Sequence, residues 1–126
     1  MELSEYMGSI DILINPSNSP QETFCMVNIE AMALGIPVVS FGMYGQGEYF
    51  SFPGAQDSDK NAMIATELSP TNLSLQTIQL IRNTTLRALI SRNAVQTSMR
   101  FSPQRSAETF FSAMVHVYNT FVVDAK

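Results

Sequence analysis

Residues 1–59 contain not one Lys or Arg, against eight Asp and Glu side chains. All seven bases fall in residues 60–126, so the two stretches carry −8 and +4 within a net charge of −4. Phosphate backbones need a basic surface, and this balance excludes nucleic acid as the main partner. Long apolar runs are also lacking, since none reaches the roughly 20 residues of a transmembrane segment. Met1 is followed by Glu2 rather than by a basic stretch and an apolar core, so no secretory leader is expected. Cys25 is the single cysteine, which excludes an internal disulfide and a cysteine-built zinc site. A reducing compartment fits, with a soluble chain and the cytoplasm as the favoured location. Repeats, low-complexity tracts and long linkers are absent too, and a chain of 126 residues makes a single domain.

What is present is a foldable composition, 45% hydrophobic and 14% charged. Short apolar runs alternate with helix-forming stretches. Ile10–Ile14 reads as a strand closed by Asn15-Pro16-Ser17. A helix is predicted over 24–34, with Gly35 as a left-handed cap and Pro37 beyond it. Ile36–Ser40 is a second strand. Residues 41–61 form a loop with one helical turn at Glu48–Phe52, and Ala62–Thr66 is a third strand. Ser69-Pro70 opens a helix to Arg82, a second helix spans Thr84–Met99, and Ser102-Pro103 opens a last one to Phe121. This order predicts an α/β, Rossmann-like half-domain with about three parallel strands, covering helices and a helical C-terminal tail. Residues 1–66 form its strand–helix–strand part and 67–126 its helical tail.

The 24–34 helix carries a conflict. At about 100° per residue, Val27, Ala31 and Leu34 form one stripe and Cys25, Ile29 and Met32 the opposite one. Only Asn28 and Glu30 are polar, so the helix is expected to be buried on more than one side. A buried carboxylate costs several kcal/mol, of the order set by desolvation, unless something hydrogen-bonds it. Either Glu30 emerges at the helix edge or pairs with an arginine, or it faces a cleft and binds ligand hydroxyls. Arginines 82, 87, 92, 100 and 105 share no helical face and read as solvated surface.

Pro16-Ser17, Gln21-Glu22-Thr23-Phe24 and the run from Val27 to Val39 resemble the donor-site signature of the retaining GT-B glycosyltransferases. The branch in question includes sucrose-phosphate synthase-like and mannosyltransferase enzymes. It shares two glutamates eight positions apart and a Glu-Ala-Met-Ala-x-Gly-x-Pro-Val-Val run, kept here as Glu22, Glu30 and Glu30–Val39. The resemblance implies that Glu30 accepts hydrogen bonds from the ribose of a nucleotide diphosphate sugar and that Glu22 contacts the transferred sugar. It also implies that backbone N–H groups of Thr23, Phe24, Cys25 and Met26 point toward the donor, as helix starts favour. Glu22 near a helix start is equally a dipole partner, worth about 0.3–1 kcal/mol. Cys25 stands where the family usually has glycine, which takes unusual dihedrals freely. A reactive Cys25 would need a base, and His116 has no sequence link to it. Ser17 is a further possible donor contact. Gly45, Gly47 and Glu48 fit either the family's glycine-rich donor loop or ordinary turn chemistry.

The resemblance spans roughly residues 3–121 and corresponds to the latter part of one family domain. It implies no cofactor and no obligatory metal. It also implies a partner: the upstream glycosyltransferase portion, in the same or another chain, which holds the acceptor and brings an Arg and a Lys to the diphosphate. Three functions compete: a donor-binding portion of a retaining hexosyltransferase, a non-catalytic interaction or regulatory remnant, and another nucleotide-sugar enzyme such as an epimerase.

Overall fold

A computed structural model of the chain describes residues 3–51 and 54–123. Its centre is a parallel sheet of three short strands: β1 (Leu13–Asn15), β2 (Val38–Ser40) and β3 (Met63–Ile64). Leu13 pairs with Val38 and Asn15 with Ser40, while Val39 pairs with Met63, so β2 is the middle strand. Each strand is shorter than the apolar run that announces it, because only these residues reach a neighbour's ladder. β1 starts after Ile12 and runs on through Asn15.

Alternation along β2 divides the core. Val38 joins Ile29, Met32, Ile36, Tyr49 and Phe50 on one face of the sheet. Val39 joins Met63, Leu73, Leu80, Leu86 and Ile90 on the other. Helix α1 (Leu3–Met7) contributes Met7 to the first cluster. Helix α2 (Met26–Ala33) lies between β1 and β2 in sequence, and α3 (Pro70–Arg82) and α4 (Thr84–Ser98) follow β3. The fold is thus an α/β, Rossmann-like half-domain with a helical tail.

The helix ends follow local chemistry. After α2, Gly35 has φ +71°, and the N–H groups of Gly35 and Ile36 bond back to Met32 and Ala31. That is a Schellman closure, for which glycine is the least costly residue. Ser69 caps α3 through the Asn72 N–H, and Ser102 caps α5 (Pro103–Tyr118) through the Arg105 N–H. Asn83 caps α4 through Leu86, a start signal that the sequence reading passed over. α5 ends at Tyr118 rather than Phe121, and the chain continues as a wide π-type turn over Asn119–Val123. None of the side chains of α5 is buried, and Phe110, Phe111, Met114, Tyr118 and Phe121 form an exposed apolar stripe from it into the following turn.

Two expectations change. The 41–61 loop holds two short helical turns rather than one, Tyr44–Glu48 and Asp57–Asp59, and the first precedes the expected Glu48–Phe52 because Gly42 and Tyr44 take positive φ and fold the loop earlier. Phe52 lies outside the described residues. Helix α2 is not buried on more than one side. Asn28, Ile29, Ala31 and Met32 face the core, while Met26, Val27 and Leu34 lie 59%, 41% and 46% exposed. No described helix is long and apolar enough to cross a membrane.

Candidate functional site

The loop from Pro16 to Cys25, the start of α2 and the Tyr44–Glu48 turn meet beyond the carboxyl ends of β1 and β2. Open α/β sheets bind ligands at such ends. The meeting is held by a chain of buried amides and hydroxyls. Asn28, completely buried, accepts from Asn15 Nδ2 at 2.9 Å and donates to Gln46 Oε1 at 3.2 Å and to the Tyr49 hydroxyl at 3.1 Å. Ser40 Oγ donates to the same Gln46 oxygen at 2.7 Å and accepts from the Gly42 N–H. Tyr49 in turn donates to the Phe24 carbonyl at 2.7 Å. Burial pushes the Tyr49 pKa up to about 12, so its hydroxyl keeps the proton it donates.

The sequence does not announce this network: Asn15 and Ser40 stand there only at the ends of apolar runs, and Gln46 and Tyr49 only as residues of the 41–61 loop. Its only signal there is polar residues at strand ends and inside an otherwise apolar helix. Of the two polar residues of α2, Asn28 is the buried one.

Glu22 and Cys25 form the loop's second fastening. The Cys25 N–H donates to Glu22 Oε1 at 2.9 Å, so this amide is already taken and does not join the free donors expected over Thr23–Met26. The N–H groups of Met26 and Val27, in the first turn of α2, take no acceptor among the described residues. Cys25 itself sits at φ +60°, the left-handed region that glycine enters without strain. Asn15 Nδ2 approaches its Sγ at 2.9 Å. Burial raises the thiol pKa, with the Asn15 contact opposing it, so the environment does not activate this cysteine. His116 belongs to α5, in keeping with its reading as a helix residue.

Glu30 emerges half-buried on the open face of α2, between Met26 and Leu34, and its carboxylate has no hydrogen bond or ion pair among the described residues. The arginine pairing is therefore not formed. Arg87 instead donates to the carbonyls of Leu80 and Ile81, and Arg105 lies 3.7 Å from Glu108. Arg100 stands over the Phe101 ring, whose edge meets Phe24 at 5.1 Å between centroids.

The other candidates divide. Ser17 is half-buried beside the network, its N–H on Asn15 Oδ1. Gly45 packs directly against the Thr23 carbonyl, and Thr23 itself is exposed. Gly47 and Glu48 are exposed on the same turn, and no recorded bond ties Glu48 to Glu22 or Glu30. Among the described residues, no three His, Cys, Asp or Glu side chains gather as a metal site would require.

The profile of the family described as glycosyl transferases group 1 matches residues 1–97, which include both glutamates and the whole network. An uncharacterized glycosyltransferase of Methanocaldococcus jannaschii is 31% identical over 101 residues, covering 80% of this chain and 26% of that protein. The chain thus spans about a quarter of the length of the relative it matches.

Proposed function

The chain belongs to the group 1 glycosyl transferases, and from that premise we propose that it forms the donor-binding part of a retaining hexosyltransferase. The donor is a nucleoside diphosphate sugar and the acceptor a hydroxyl group. Glu30 receives the ribose hydroxyls and Glu22 lies at the transferred sugar. The free N–H groups at the start of α2 meet the diphosphate, with the positive end of the helix dipole behind them. No metal ion is needed for this binding mode, and no cofactor.

One observation carries the reading. Among the described residues, Glu30 projects without a partner from an exposed apolar face, one turn from backbone donors that take no acceptor there. A carboxylate so placed is ready for hydroxyl donors, and charge-assisted hydrogen bonds are worth roughly 1.5–3 kcal/mol each. Glu30→Gln should therefore weaken binding of the nucleoside diphosphate tenfold or more without lowering the melting temperature. Unchanged affinity together with a lower melting temperature would assign Glu30 to the fold alone.

The absence of bases from positions 1–59 favours a second reading, a remnant that binds without turnover. Joining the chain to the upstream portion of a family member separates the two: turnover by the joined protein supports the first reading, and donor binding without turnover the second.

A further inference from the structure

The peptide group between Phe24 and Cys25 is held by a side chain at each end. Tyr49 Oη donates to its carbonyl at 2.7 Å, and its N–H donates to Glu22 Oε1 at 2.9 Å. A peptide group is planar and turns as one piece, so a rotation that breaks one bond misdirects the other. We propose that Tyr49 is a positioning residue for Glu22, acting through the Phe24–Cys25 peptide.

The geometry makes Tyr49 the fixed end of this linkage. Its ring is edge-on to Phe24, Phe50 and Phe101, with centroids 5.3, 4.6 and 6.0 Å away. Its hydroxyl has little freedom, since Asn28 Nδ2 donates into the oxygen from one side. A carbonyl can only accept, so the hydroxyl proton goes to Phe24. Asn28 is fixed in turn by Asn15 and Gln46. Glu22 is the movable end. It is half-buried, and the Cys25 N–H is the group that its carboxylate meets. The left-handed backbone of Cys25 lies between them, and a strained conformation persists only where its surroundings over-determine it. Tyr49 and Glu22 supply that constraint from opposite sides. The mechanical coupling stands on these contacts alone, whereas its consequence for sugar binding rests on the donor-site reading above.

Amide hydrogen exchange at Cys25, followed by NMR on the whole chain, tests the coupling. Tyr49→Phe should speed Cys25 exchange by about tenfold or more. Ser40→Ala, which removes a bond to Gln46 in the same network and leaves the Phe24 carbonyl untouched, should change it less than threefold. A Cys25 amide within threefold of wild type in Tyr49→Phe, or an equal change in both variants, overturns the proposal. Should Tyr49→Phe fail to fold, Glu22→Ala tests the linkage from its solvent end. It should shift the Asn28 side-chain amide resonances, and unmoved resonances overturn the proposal.

The functional arm compares UDP-glucose with UDP and GDP-mannose with GDP. Tyr49→Phe should lower the preference for the nucleotide sugar to the level of Glu22→Ala, and the double variant should lower it no further. A preference that falls in Glu22→Ala but stays at the wild-type value in Tyr49→Phe overturns the positioning role. A wild-type chain that binds none of the four would count against the donor-site reading, while Cys25 exchange still decides the coupling.

Discussion

Gly45 lies so close to Thr23 that a Cβ at position 45 would overlap the Thr23 carbonyl oxygen. The Tyr44–Glu48 turn and the loop before α2 are therefore packed backbone against backbone. Gly45 serves this contact between the two loops.

Gly45→Ala must push these loops apart. Overpacking a well-fitted contact costs about 1–3 kcal/mol, and a backbone obstacle has little room to give way. Urea denaturation should place the loss in that range. Gly47→Ala is the comparison, because a Cβ there meets only the Gly42 carbonyl oxygen, at 3.1 Å. Its loss should stay below that of Gly45→Ala, and equal losses would remove Thr23 as the cause.

Cys25 presents the opposite case, a side chain where the backbone favours none. Holding an L-residue in the left-handed region costs roughly 1–2 kcal/mol, partly offset in a glycine variant by the greater freedom of the unfolded chain. Cys25→Gly should thus be more stable than Cys25→Ala, although both lose the contact with Asn15. Thermal melts of the two variants side by side check this. An alanine variant equal to or above glycine would mean that any strain at this position is no larger than the unfolded-chain entropy that glycine adds.

How far these loops could be read in the sequence depends on where the information lies. Helix limits were legible wherever a local device encodes them, as at Ser69-Pro70 and at Gly35 with Pro37. Strand existence was legible from short apolar runs, but strand length was not, because a ladder ends where the neighbouring strand ends. Asn28 shows the deeper limit. In the sequence it is one polar residue on an apolar helix, and the choice between Asn28 and Glu30 as the buried group depends on Asn15, Gln46 and Tyr49, which lie 13, 18 and 21 positions away. The fastening of Glu22 to Cys25 is local yet was missed for another reason. The left-handed turn that brings them together is unusual for cysteine, and composition does not announce it.

Stability should fall in alkali through Tyr49. Burial raises its pKa from 10.0 to about 12, so the folded state prefers the neutral phenol. The unfolded chain begins to release this proton near pH 10 while the folded chain keeps it. The contribution is therefore whole below pH 10 and is lost as pH rises to 12, by about 3 kcal/mol at most. The buried Cys25 thiol acts in the same direction. Urea midpoints measured from pH 8 to 11.5 should decline above pH 10, and the decline should be shallower in Tyr49→Phe. Equal slopes in both proteins would place the alkaline loss elsewhere.

The purified chain alone should bind donor without transferring its sugar. Transfer needs an acceptor held in line with the anomeric carbon and positive charge at the departing diphosphate. Residues 1–59, which supply the whole candidate site, contain neither Lys nor Arg. Three of the bases farther along are engaged elsewhere: Lys60 pairs with Asp57, Arg87 serves the end of α3, and Arg105 stands by Glu108. Arg100 comes nearest in topology, through Phe101 to Phe24, yet it is exposed and sits over a ring. Backbone N–H groups at the start of α2 can hold a diphosphate in the ground state. They offer too little to stabilise the growing charge of a leaving group, since removing a single well-placed donor from an active site already costs about 10²–10³ in rate. Incubation with radiolabelled nucleotide sugars and mixed hydroxyl acceptors should give no product above background. Steady transfer that disappears in Glu22→Ala would show that Arg100, or the amides alone, suffices. Arg100→Ala would then decide between them, because loss of transfer would identify the arginine as the positive charge that residues 1–59 lack.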